Sequence, residues 1–303
     1  MKLLVINNLA SGYREGAIYD FVRSFALDGD EITLRCTDGT TDLRLFLHDA
    51  EEYDAVVASG GDGTVSAVTY LLAETGIPVL PFPAGTANLL TMNLASPSEP
   101  HALAKMTRAG NLLDFDMGEI ELADGERMGF MIMAGAGYDA TIMKSAAAGK
   151  KILGPMAYFT SAVANATPQH ADFTLTIDGK VVKSSGVGVL IVNFSKIQFD
   201  LSVVHENQPR DGAFDVVVLN TKDAFGLLPA LMACILDRSG EFPERSDALE
   251  IHRGTEITVD ADPALLVQYD GEVTNLKTPF TVRMLPKAAR LVVSDEAKKI
   301  FNA

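Results

Sequence analysis

A glycine-rich pentapeptide, Gly60-Gly61-Asp62-Gly63-Thr64, follows an apolar segment and precedes a helical pattern that begins at Val65. Glycines there let backbone N–H groups approach a polyphosphate, and the N-terminus of the next helix adds its dipole. Asp62 would repel phosphate unless a divalent cation lies between them, so a nucleotide ligand would imply Mg²⁺ as well. A tight strand-to-helix turn capped by an aspartate is the structural alternative.

A second polar loop, Pro83-Ala84-Gly85-Thr86-Ala87-Asn88, follows the next apolar segment of the chain. Thr86 and Asn88 supply a hydroxyl and an amide at a predicted helix start, and Gly85 sharpens the turn. The carboxyl ends of parallel strands share one edge of a sheet, which is where ligands of such sheets bind. Both loops are therefore predicted to open at the same edge.

The elements that position these loops alternate between β-rich and helical patterns over residues 1–118. This alternation predicts an α/β fold, a Rossmann-like parallel sheet covered by helices. The predicted strands are Lys2 to Ile6, Glu31 to Arg35, Ala55 to Ala58 and Pro78 to Phe82, and the predicted helices are Ala17 to Leu27, Asp42 to Glu52 and Val65 to Glu74. We expect residues 1–118 to form a nucleotide-binding domain.

Residues 119–303 have a different pattern, with short β-rich segments separated by turn dipeptides. Asp124-Gly125 and Asp178-Gly179 are hairpin signals, and together with the short strands they predict an antiparallel β-sandwich domain. The predicted strands are Glu119 to Leu122, Arg127 to Ala134, Phe173 to Ile177, Lys180 to Val182, Val187 to Phe194, Phe214 to Leu219, Glu256 to Val259, Leu265 to Tyr269, Phe280 to Met284 and Arg290 to Val293. Helices are predicted near Gly154 to Ala166, Ala224 to Asp237 and Asp295 to Phe301, the last able to pack back on the first domain.

The composition excludes several classes of protein. The 303 residues carry a formal net charge of −15 at pH 7, whereas a nucleic-acid binder needs Lys and Arg to neutralise phosphates. The longest uncharged apolar segment, Ala224 to Leu236, is shorter than the roughly 20 residues that span a bilayer. Cys36 and Cys234 lie far apart without a CxxC pair, which indicates a reducing compartment. We expect a cytoplasmic protein without a transmembrane segment.

Several motifs in a fixed order carry a resemblance to a known family. The GGDGT and Pro83–Asn88 loops and the later tripeptide Asp270-Gly271-Glu272 resemble the diacylglycerol kinase catalytic family, which includes bacterial lipid kinases, sphingosine kinases and ceramide kinases. Gly135-Ala136-Gly137-Tyr138-Asp139 and Asp211-Gly212-Ala213-Phe214-Asp215 are similar to further segments of that family. The resemblance implies an NAD kinase-like α/β domain followed by a β-sandwich, with the active site in the cleft between them.

The resemblance also implies roles for matched positions. The residues similar to nucleotide contacts are Ser11, Gly12, Thr37, Gly60, Gly61, Asp62, Gly63, Thr64, Thr86 and Asn88. Asp270 is similar to the proton acceptor of the family, and Glu272 to its helper. Asp211, with the backbone oxygens of Gln208 and Ala213, resembles a structural Mg²⁺ site of bacterial members. For Asp270, a hairpin turn like those at Asp124 and Asp178 is the structural alternative.

The function implied by the resemblance is an ATP- and Mg²⁺-dependent lipid kinase that meets its lipid at a membrane surface, transiently peripheral to it, either as a monomer or as a homodimer. An NAD kinase is one alternative, because it shares GGDGT. A second is a nucleotide- or lipid-binding protein without turnover, since Ser66-Ala67 stands where the family usually has Asn-Glu. A plain structural module is a third, and it would make two phosphate-type loops on one sheet edge a coincidence.

Overall fold

The computed structural model describes residues 1–11, 16–27, 29–137, 169–197, 201–202, 204, 207–221 and 249–301. These residues form two compact units: Met1–Met117 with Pro286–Ala303, called the first unit here, and Gly118–Leu285, the second unit. Residues 286–303 are grouped with the first unit, and they include the helix from Asp295, which the sequence predicts to be able to pack back on the first domain. The predicted helices at Gly154 to Ala166 and Ala224 to Asp237 lie outside the described residues.

The first unit is built on a parallel sheet whose strands are apolar and buried. Its strands are β1 Lys2–Asn8, β2 Glu31–Thr37, β3 Ala55–Gly60 and β4 Val79–Pro83, and its helices are α1 Ala17–Phe25, α2 Arg44–Leu47, α3 Asp62–Leu71, α4 Leu89–Asn93, α5 Pro100–Ala109 and α6 Asp295–Phe301. The sheet order is β2-β1-β3-β4, and Leu291 extends it in parallel beside Val79. Phe21 stacks on Phe25 and meets Phe82 edge-on in the core.

The second unit contains two antiparallel sheets that share one apolar core. Its strands are β6 Arg127–Phe130, β7 Met133–Gly137, β8 Ala171–Ile177, β9 Lys180–Gly186, β10 Gly188–Val192, β11 Lys196–Ile197, β12 Leu201–Ser202, β13 Phe214–Leu219, β14 Leu249–Gly254, β15 Glu256–Asp262, β16 Leu266–Tyr269 and β17 Glu272–Lys277. Two strands include residues of both units, β5 Leu112–Glu121 and β18 Phe280–Val292. One sheet continues β18-β15-β8-β9, and the other has the order β14-β13-β10-β7-β16-β17. The core between them includes Phe173, Val189, Val216 and Ile257.

The predicted fold class, a parallel α/β sheet followed by an antiparallel sandwich, is confirmed, and several elements differ from the prediction. The helix α3 begins at Asp62 and not at Val65, β5 begins at Leu112 and not at Glu119, and α5, β14 and β17 were not predicted.

Three further differences have a cause that the structure shows. The predicted helix Asp42 to Glu52 is a short helix, α2, and a separate 3-10 turn at Ala50–Glu52. The helical hydrogen bonding is interrupted between them. Asp49 lies in that interruption, and its carboxylate pairs with Arg35 on β2. A pattern of apolar residues does not reveal such a partner, because it lies on another element.

The other two differences concern strands. The predicted strand Arg127 to Ala134 is interrupted at Met131 and Ile132, because their N–H groups donate to a side chain and not to a neighbouring strand. The predicted strands Phe280 to Met284 and Arg290 to Val293 are one strand, β18. The strand β18 continues past Pro286, a residue that has no N–H to donate. The next residue, Lys287, has a positive φ of 53°, and its N–H donates to Asp116 Oδ1 at 2.7 Å.

Candidate functional site

Four loops meet at the carboxyl edge of the parallel sheet in the first unit. They are residues 8–11 after β1, 37–39 after β2, 60–64 after β3 and 84–88 after β4, and we call them the carboxyl-edge loops. Parallel register brings them together, since Asn8 pairs with Thr37 and Gly60 pairs with Pro83. The expectation that the two glycine-containing loops open at one edge is thereby met by the topology.

The contact between the loops after β3 and β4 is made by glycine backbone. A Cβ added to Gly85 would lie 2.4 Å from the Gly61 Cα, which is closer than any side chain tolerates. The Ala84 N–H also donates to the Gly60 carbonyl at 3.2 Å. Glycine at 85 is therefore a steric requirement of this loop pair and not only a turn preference.

Asp62 joins the same two loops through its side chain. It is the first residue of α3, and its carboxylate accepts hydrogen bonds from the Leu89 and Leu90 N–H groups, both at 3.0 Å. Those two groups begin α4, where the preceding Asn88 has a left-handed backbone. Asp62 thus caps the N-terminus of a neighbouring helix, as a helix N-terminus favours a carboxylate. Asp62 is therefore both a helix cap, as the structural alternative for this loop proposes, and a residue of the glycine-rich loop.

Side chains from the first two loops complete the arrangement. Asn8 Nδ2 donates to Thr64 Oγ1 at 2.8 Å, and Thr64 lies over Gly60, where an added Cβ would be 2.5 Å from the Thr64 Cβ. The Gly61 N–H donates to Ser11 Oγ at 3.2 Å. Thr37 is buried, and its carbonyl accepts the Leu9 N–H at 2.9 Å.

The predicted nucleotide residues thus fall on one edge, with one outside the described part. Gly12 lies outside the described residues, while Ser11 belongs to the gathered loops. The Asn88 side chain accepts the Gly85 N–H at 2.8 Å and donates to the Gly85 carbonyl at 2.9 Å, so it closes its own loop. Gly63 lies in the first turn of α3 and Thr86 in the loop before α4, both partly exposed. The first-turn N–H groups of a helix have no acceptor within that helix and can bind an anion.

Asp270 lies in the second unit, in the two-residue turn that joins β16 to β17. Asp270 and Gly271 have φ values of 42° and 83°, the left-handed pair that tight hairpins require. The hairpin alternative therefore describes the backbone correctly. The side chain, however, is only 7% exposed, whereas hairpin tips are usually in solvent.

The Asp270 carboxylate is held by three consecutive backbone N–H groups. Oδ2 accepts from Met131 at 2.6 Å, and Oδ1 accepts from Ile132 at 2.8 Å and from Met133 at 3.0 Å. The Asp270 N–H donates to the Met133 carbonyl at 2.9 Å. Main-chain donors of this kind stabilise the ionised form of a carboxylate. The turn and the segment between β6 and β7 are thus one hydrogen-bonded unit.

Glu272, the predicted helper, begins β17 and is exposed, opposite Tyr269 in the strand pair. Burial raises the pKa of the Tyr269 phenol to about 12, and the nearby carboxylates of Glu272, Glu126 and Asp270 add to this effect. The Tyr269 hydroxyl contacts Met128 Sδ at 2.7 Å. Tyr269 is therefore neutral at ordinary pH, and the negative charge near the turn comes from carboxylates.

The predicted structural metal site contains an arginine. The Asp211 carboxylate pairs with Arg253 Nη2, and Arg253 Nε lies 3.4 Å from Asp215 Oδ1 across the β13–β14 pair. The Gln208 carbonyl accepts the Asp211 N–H at 3.4 Å, and the Ala213 N–H donates to Asp211 Oδ1 at 3.2 Å. Because a guanidinium already neutralises this carboxylate, the donor set as arranged does not fit a divalent cation. Among the described residues, no group of three or more His, Cys, Asp or Glu side chains could hold a metal ion.

Sequence reasoning missed the residues whose role depends on backbone atoms. Asn8 had a detectable signal, since it is polar at the carboxyl end of an apolar strand. Asn193, buried at the end of the apolar segment after β10, had a similar one. Met131 to Met133 had none, because main-chain donors leave no mark in the residue types.

Residues 2–120 match the diacylglycerol kinase catalytic domain, and residues 132–293 match the YegS C-terminal NAD kinase beta sandwich-like domain. The second match covers more than half of the chain, so the chain belongs to the family that carries the YegS C-terminal domain, here preceded by a diacylglycerol kinase catalytic domain. The two matches follow the order of the α/β and sandwich parts described above. They confirm the resemblance that the motifs carried, including its extension beyond the GGDGT loop.

Relatives support the same family. A protein of Staphylococcus haemolyticus, "Putative lipid kinase SH2167", is 25% identical over 251 residues, which are 82% of this chain and 79% of the relative. A Synechocystis protein, "Uncharacterized protein sll0036", is 27% identical over 250 residues, 80% of this chain. The match covers 55% of that relative, so the chain spans about half its length.

Solved structures support the fold. A diacylglycerol kinase from Bacillus anthracis matches with a TM-score of 0.75 at 21% identity, covering 97% of each chain. An NAD kinase from Archaeoglobus fulgidus in complex with ATP matches with a TM-score of 0.56 at 14% identity, covering 100% of this chain and 97% of that one. At these identities the likeness concerns the fold. Among the residues that the structure describes, no helix is long and apolar enough to cross a membrane.

Proposed function

We propose that the chain is an ATP- and Mg²⁺-dependent lipid kinase that transfers the γ-phosphoryl group of ATP to a lipid hydroxyl, with diacylglycerol or a related lipid as acceptor. The observation that carries the proposal is the joining of the two glycine-containing loops at one sheet edge, through Gly61, Gly85 and the Asp62 carboxylate. The match to the diacylglycerol kinase catalytic domain supports a lipid as the acceptor. The lipid comes from a membrane surface, where the chain stays only transiently.

The carboxyl-edge loops bind the triphosphate in this proposal. The first turn of α3 directs N–H groups and a helix dipole toward the phosphates, and the glycines leave room for close approach. The adjoining segment around Thr37 and the loop at Thr86 and Asn88 flank the nucleotide. Phosphoryl transfer passes through a loose, in-line transition state, so positioning and neutralisation of charge are the main tasks of the protein.

Asp62 is the residue that would hold a Mg²⁺ ion carried by the phosphates. Each oxygen of the Asp62 carboxylate accepts one backbone N–H, from Leu89 and Leu90, and a carboxylate oxygen can accept such a bond and bind a metal ion at the same time. Mg²⁺ bound with a nucleotide needs only one or two protein carboxylates, so this donor fits the ion. The ion would neutralise charge on the phosphates, and Asp62 would orient it relative to α3 and α4.

Asp270 accepts the proton of the lipid hydroxyl. A carboxylate held by three N–H donors is a weak base, and it takes the proton late, when bond formation to phosphorus has made the oxygen acidic. Late proton transfer agrees with a loose transition state, in which the attacking oxygen needs little activation at the start. Glu272 adds negative charge beside the same turn and acts as its helper.

A nucleotide- or lipid-binding protein without turnover is the second candidate. Two observations favour it. The Asp270 oxygens accept hydrogen bonds that a purely structural turn would also make. Ser66, which is buried in α3, and Ala67 stand where the family usually has Asn-Glu, so a carboxylate is missing there. Such a protein would bind ATP and leave every acceptor unlabelled.

The test is transfer of label from γ-labelled ATP, with Mg²⁺, into mixed micelles of diacylglycerol, monoacylglycerol, phosphatidylglycerol, sphingosine and ceramide, with NAD as a separate acceptor. We expect label in one lipid class, and a loss of about 100-fold or more in Asp270→Asn, since general base catalysis contributes on that scale. Thermal unfolding and ATP binding of the variant verify that it is folded. Label in NAD alone, or ATP binding without label anywhere, would overturn the lipid kinase proposal.

A further inference from the structure

The segment Met131-Ile132-Met133, which leads from β6 into the first residue of β7, has every backbone group bonded. Its three N–H groups donate to the Asp270 carboxylate. Its three carbonyls accept from two places: Met133 from the Asp270 N–H at 2.9 Å, and the other two from the residues that follow β10. Buried backbone groups of a non-strand segment must find such partners, so the segment depends on these two neighbours for its shape.

Asn193 is the principal partner on the carbonyl side. Its Nδ2 donates to the Met131 carbonyl at 2.7 Å, and its own N–H donates to the Ile132 carbonyl at 2.9 Å. The Phe194 N–H also donates to the Ile132 carbonyl, at 3.0 Å. Asn193 is 1% exposed and directly follows β10, whose residues are apolar or glycine. Burying an amide among apolar side chains costs folding free energy unless the amide is hydrogen-bonded, and the bond to the Met131 carbonyl offsets part of that cost.

We propose that Asn193 is a positioning residue for Asp270, an inference that rests on the proposed function above. Asn193 bonds to the Met131 and Ile132 carbonyls, and the N–H groups of residues 131–133 bond to the Asp270 carboxylate. The Asn193 amide therefore positions Asp270 indirectly, by restraining the segment that lies between them. A displacement of about 1 Å at a reacting group can cost about 100-fold in rate, so the precision of this segment sets the efficiency of the base.

The side chain can be separated from the backbone in a test. Asn193→Ala removes the bond to the Met131 carbonyl and leaves the two bonds to the Ile132 carbonyl, which are made by main-chain N–H groups. The segment would keep its path and lose its restraint at Met131. Since nucleotide contacts are made in the first unit, we expect kcat to fall about 10-fold or more, with the KM for ATP within about twofold of wild type.

A matched control separates positioning from general destabilisation. Thr278 is also buried in the second unit, and its Oγ1 accepts the Leu265 N–H at 3.2 Å. Thr278→Val removes one buried hydrogen bond just after β17, at the opposite end of that strand from the Asp270 turn. We expect Thr278→Val to lower the unfolding temperature as Asn193→Ala does, with kcat unchanged. Equal kcat values in the two variants at equal stability would overturn the inference.

Amide hydrogen exchange of the peptide containing residues 131–133 gives a second readout that needs no turnover. We expect exchange there to be faster in Asn193→Ala than in wild type, and unchanged in Thr278→Val, because the Asp270 bonds open more often when the segment is less restrained. Unchanged exchange in Asn193→Ala would contradict the restraint itself. If wild-type protein transfers no label, the proposed function fails, while the exchange result still decides whether Asn193 holds the segment.

Discussion

Two Asp-Gly turns in the second unit have the same local geometry and different surroundings. Asp178-Gly179 joins β8 to β9 with φ values of 47° and 77°, and Asp270-Gly271 joins β16 to β17 with 42° and 83°. Both carboxylates accept three hydrogen bonds from a neighbouring segment. For Asp178 Oδ1 the donors are the Thr255 N–H at 3.0 Å, the Thr255 hydroxyl at 2.8 Å and the Glu256 N–H at 2.9 Å.

The two carboxylates differ in the segment that each one binds and in how far each one is buried. Asp178 is exposed and ties its hairpin to the start of β15, and the N–H groups of Glu256 and Thr255, with the Thr255 hydroxyl, lower its pKa. Asp270 is buried and holds an irregular segment within the sheet that contains β7 and β16. The Asp-Gly dipeptide therefore determines the turn, whereas the position of the turn in the sandwich determines which groups the carboxylate binds. Asp178 is thus a natural control for Asp270.

The largest expected contrast is between Asp270→Asn and Asp178→Asn. Both replace one carboxylate oxygen by an NH2 group, which cannot accept from an N–H, and both remove the charge. The three donors of Asp178 share Oδ1, so the amide oxygen of Asn can keep them, whereas Asp270 uses both oxygens and Asn loses at least one acceptor there. We expect Asp178→Asn to keep wild-type label transfer and Asp270→Asn to lose about 100-fold or more. Unfolding by urea should show a greater loss for the buried site, about 1–3 kcal/mol, because water cannot reach its donors.

Two results would break this contrast. If Asp178→Asn loses label transfer as severely as Asp270→Asn at equal stability, the carboxylate at 270 has no special role. If Asp270→Asn keeps full activity, the aspartate is a structural turn residue like its counterpart.

A smaller effect is expected from replacing the glycines of the two turns. A Cβ at Gly179 or Gly271 would meet nothing within 4 Å, so Gly179→Ala and Gly271→Ala suffer only from the positive φ. That strain is about 1–2 kcal/mol for an alanine, and we expect equal losses of unfolding free energy in both variants. A much greater loss for Gly271→Ala would show that the buried turn is constrained by more than its backbone angles.

The smallest effect concerns acid. The folded-state pKa of Asp178 lies below its ordinary value of 3.8, so its stabilising contribution is present above that value and is lost as pH falls through the folded pKa. We expect the difference in unfolding free energy between wild type and Asp178→Asn to stay nearly constant above about pH 5 and to narrow as pH falls through 3.8 and below. Urea unfolding at several pH values measures it. A difference that stays constant with pH would mean that the charge of Asp178 contributes nothing.

Much of the fold could be predicted because it depends on patterns within short segments. The apolar segments of the first unit are its strands, and β13 has the predicted bounds, Phe214–Leu219. Two of the predictions that differ from the structure do so at a long-range hydrogen bond. Asp49 ends a helix because Arg35 lies on another strand, and Met131 leaves a strand because Asp270 lies in a distant turn.

The candidate site was predictable to the same degree. Residue types and motif order pointed to the loops around Gly61 and Gly85, and the parallel topology brings those loops together. The partners of Asp62 could not be predicted, since its acceptor oxygens bind backbone N–H groups of Leu89 and Leu90. The pairing of Asp211 with Arg253 was equally hidden, because it depends on the register of β13 and β14.

The residue pattern alone was enough to predict the alternation of strands and helices, the glycines of the tight turns and the resemblance to a known family. These properties depend on neighbours along the chain, where residue type and spacing carry the information. Which carboxylate is buried, which one is neutralised by a guanidinium and which one caps a helix became visible only in the folded chain. Such outcomes depend on main-chain N–H groups and side chains that folding brings together from distant positions, and identical Asp-Gly dipeptides therefore end in different surroundings.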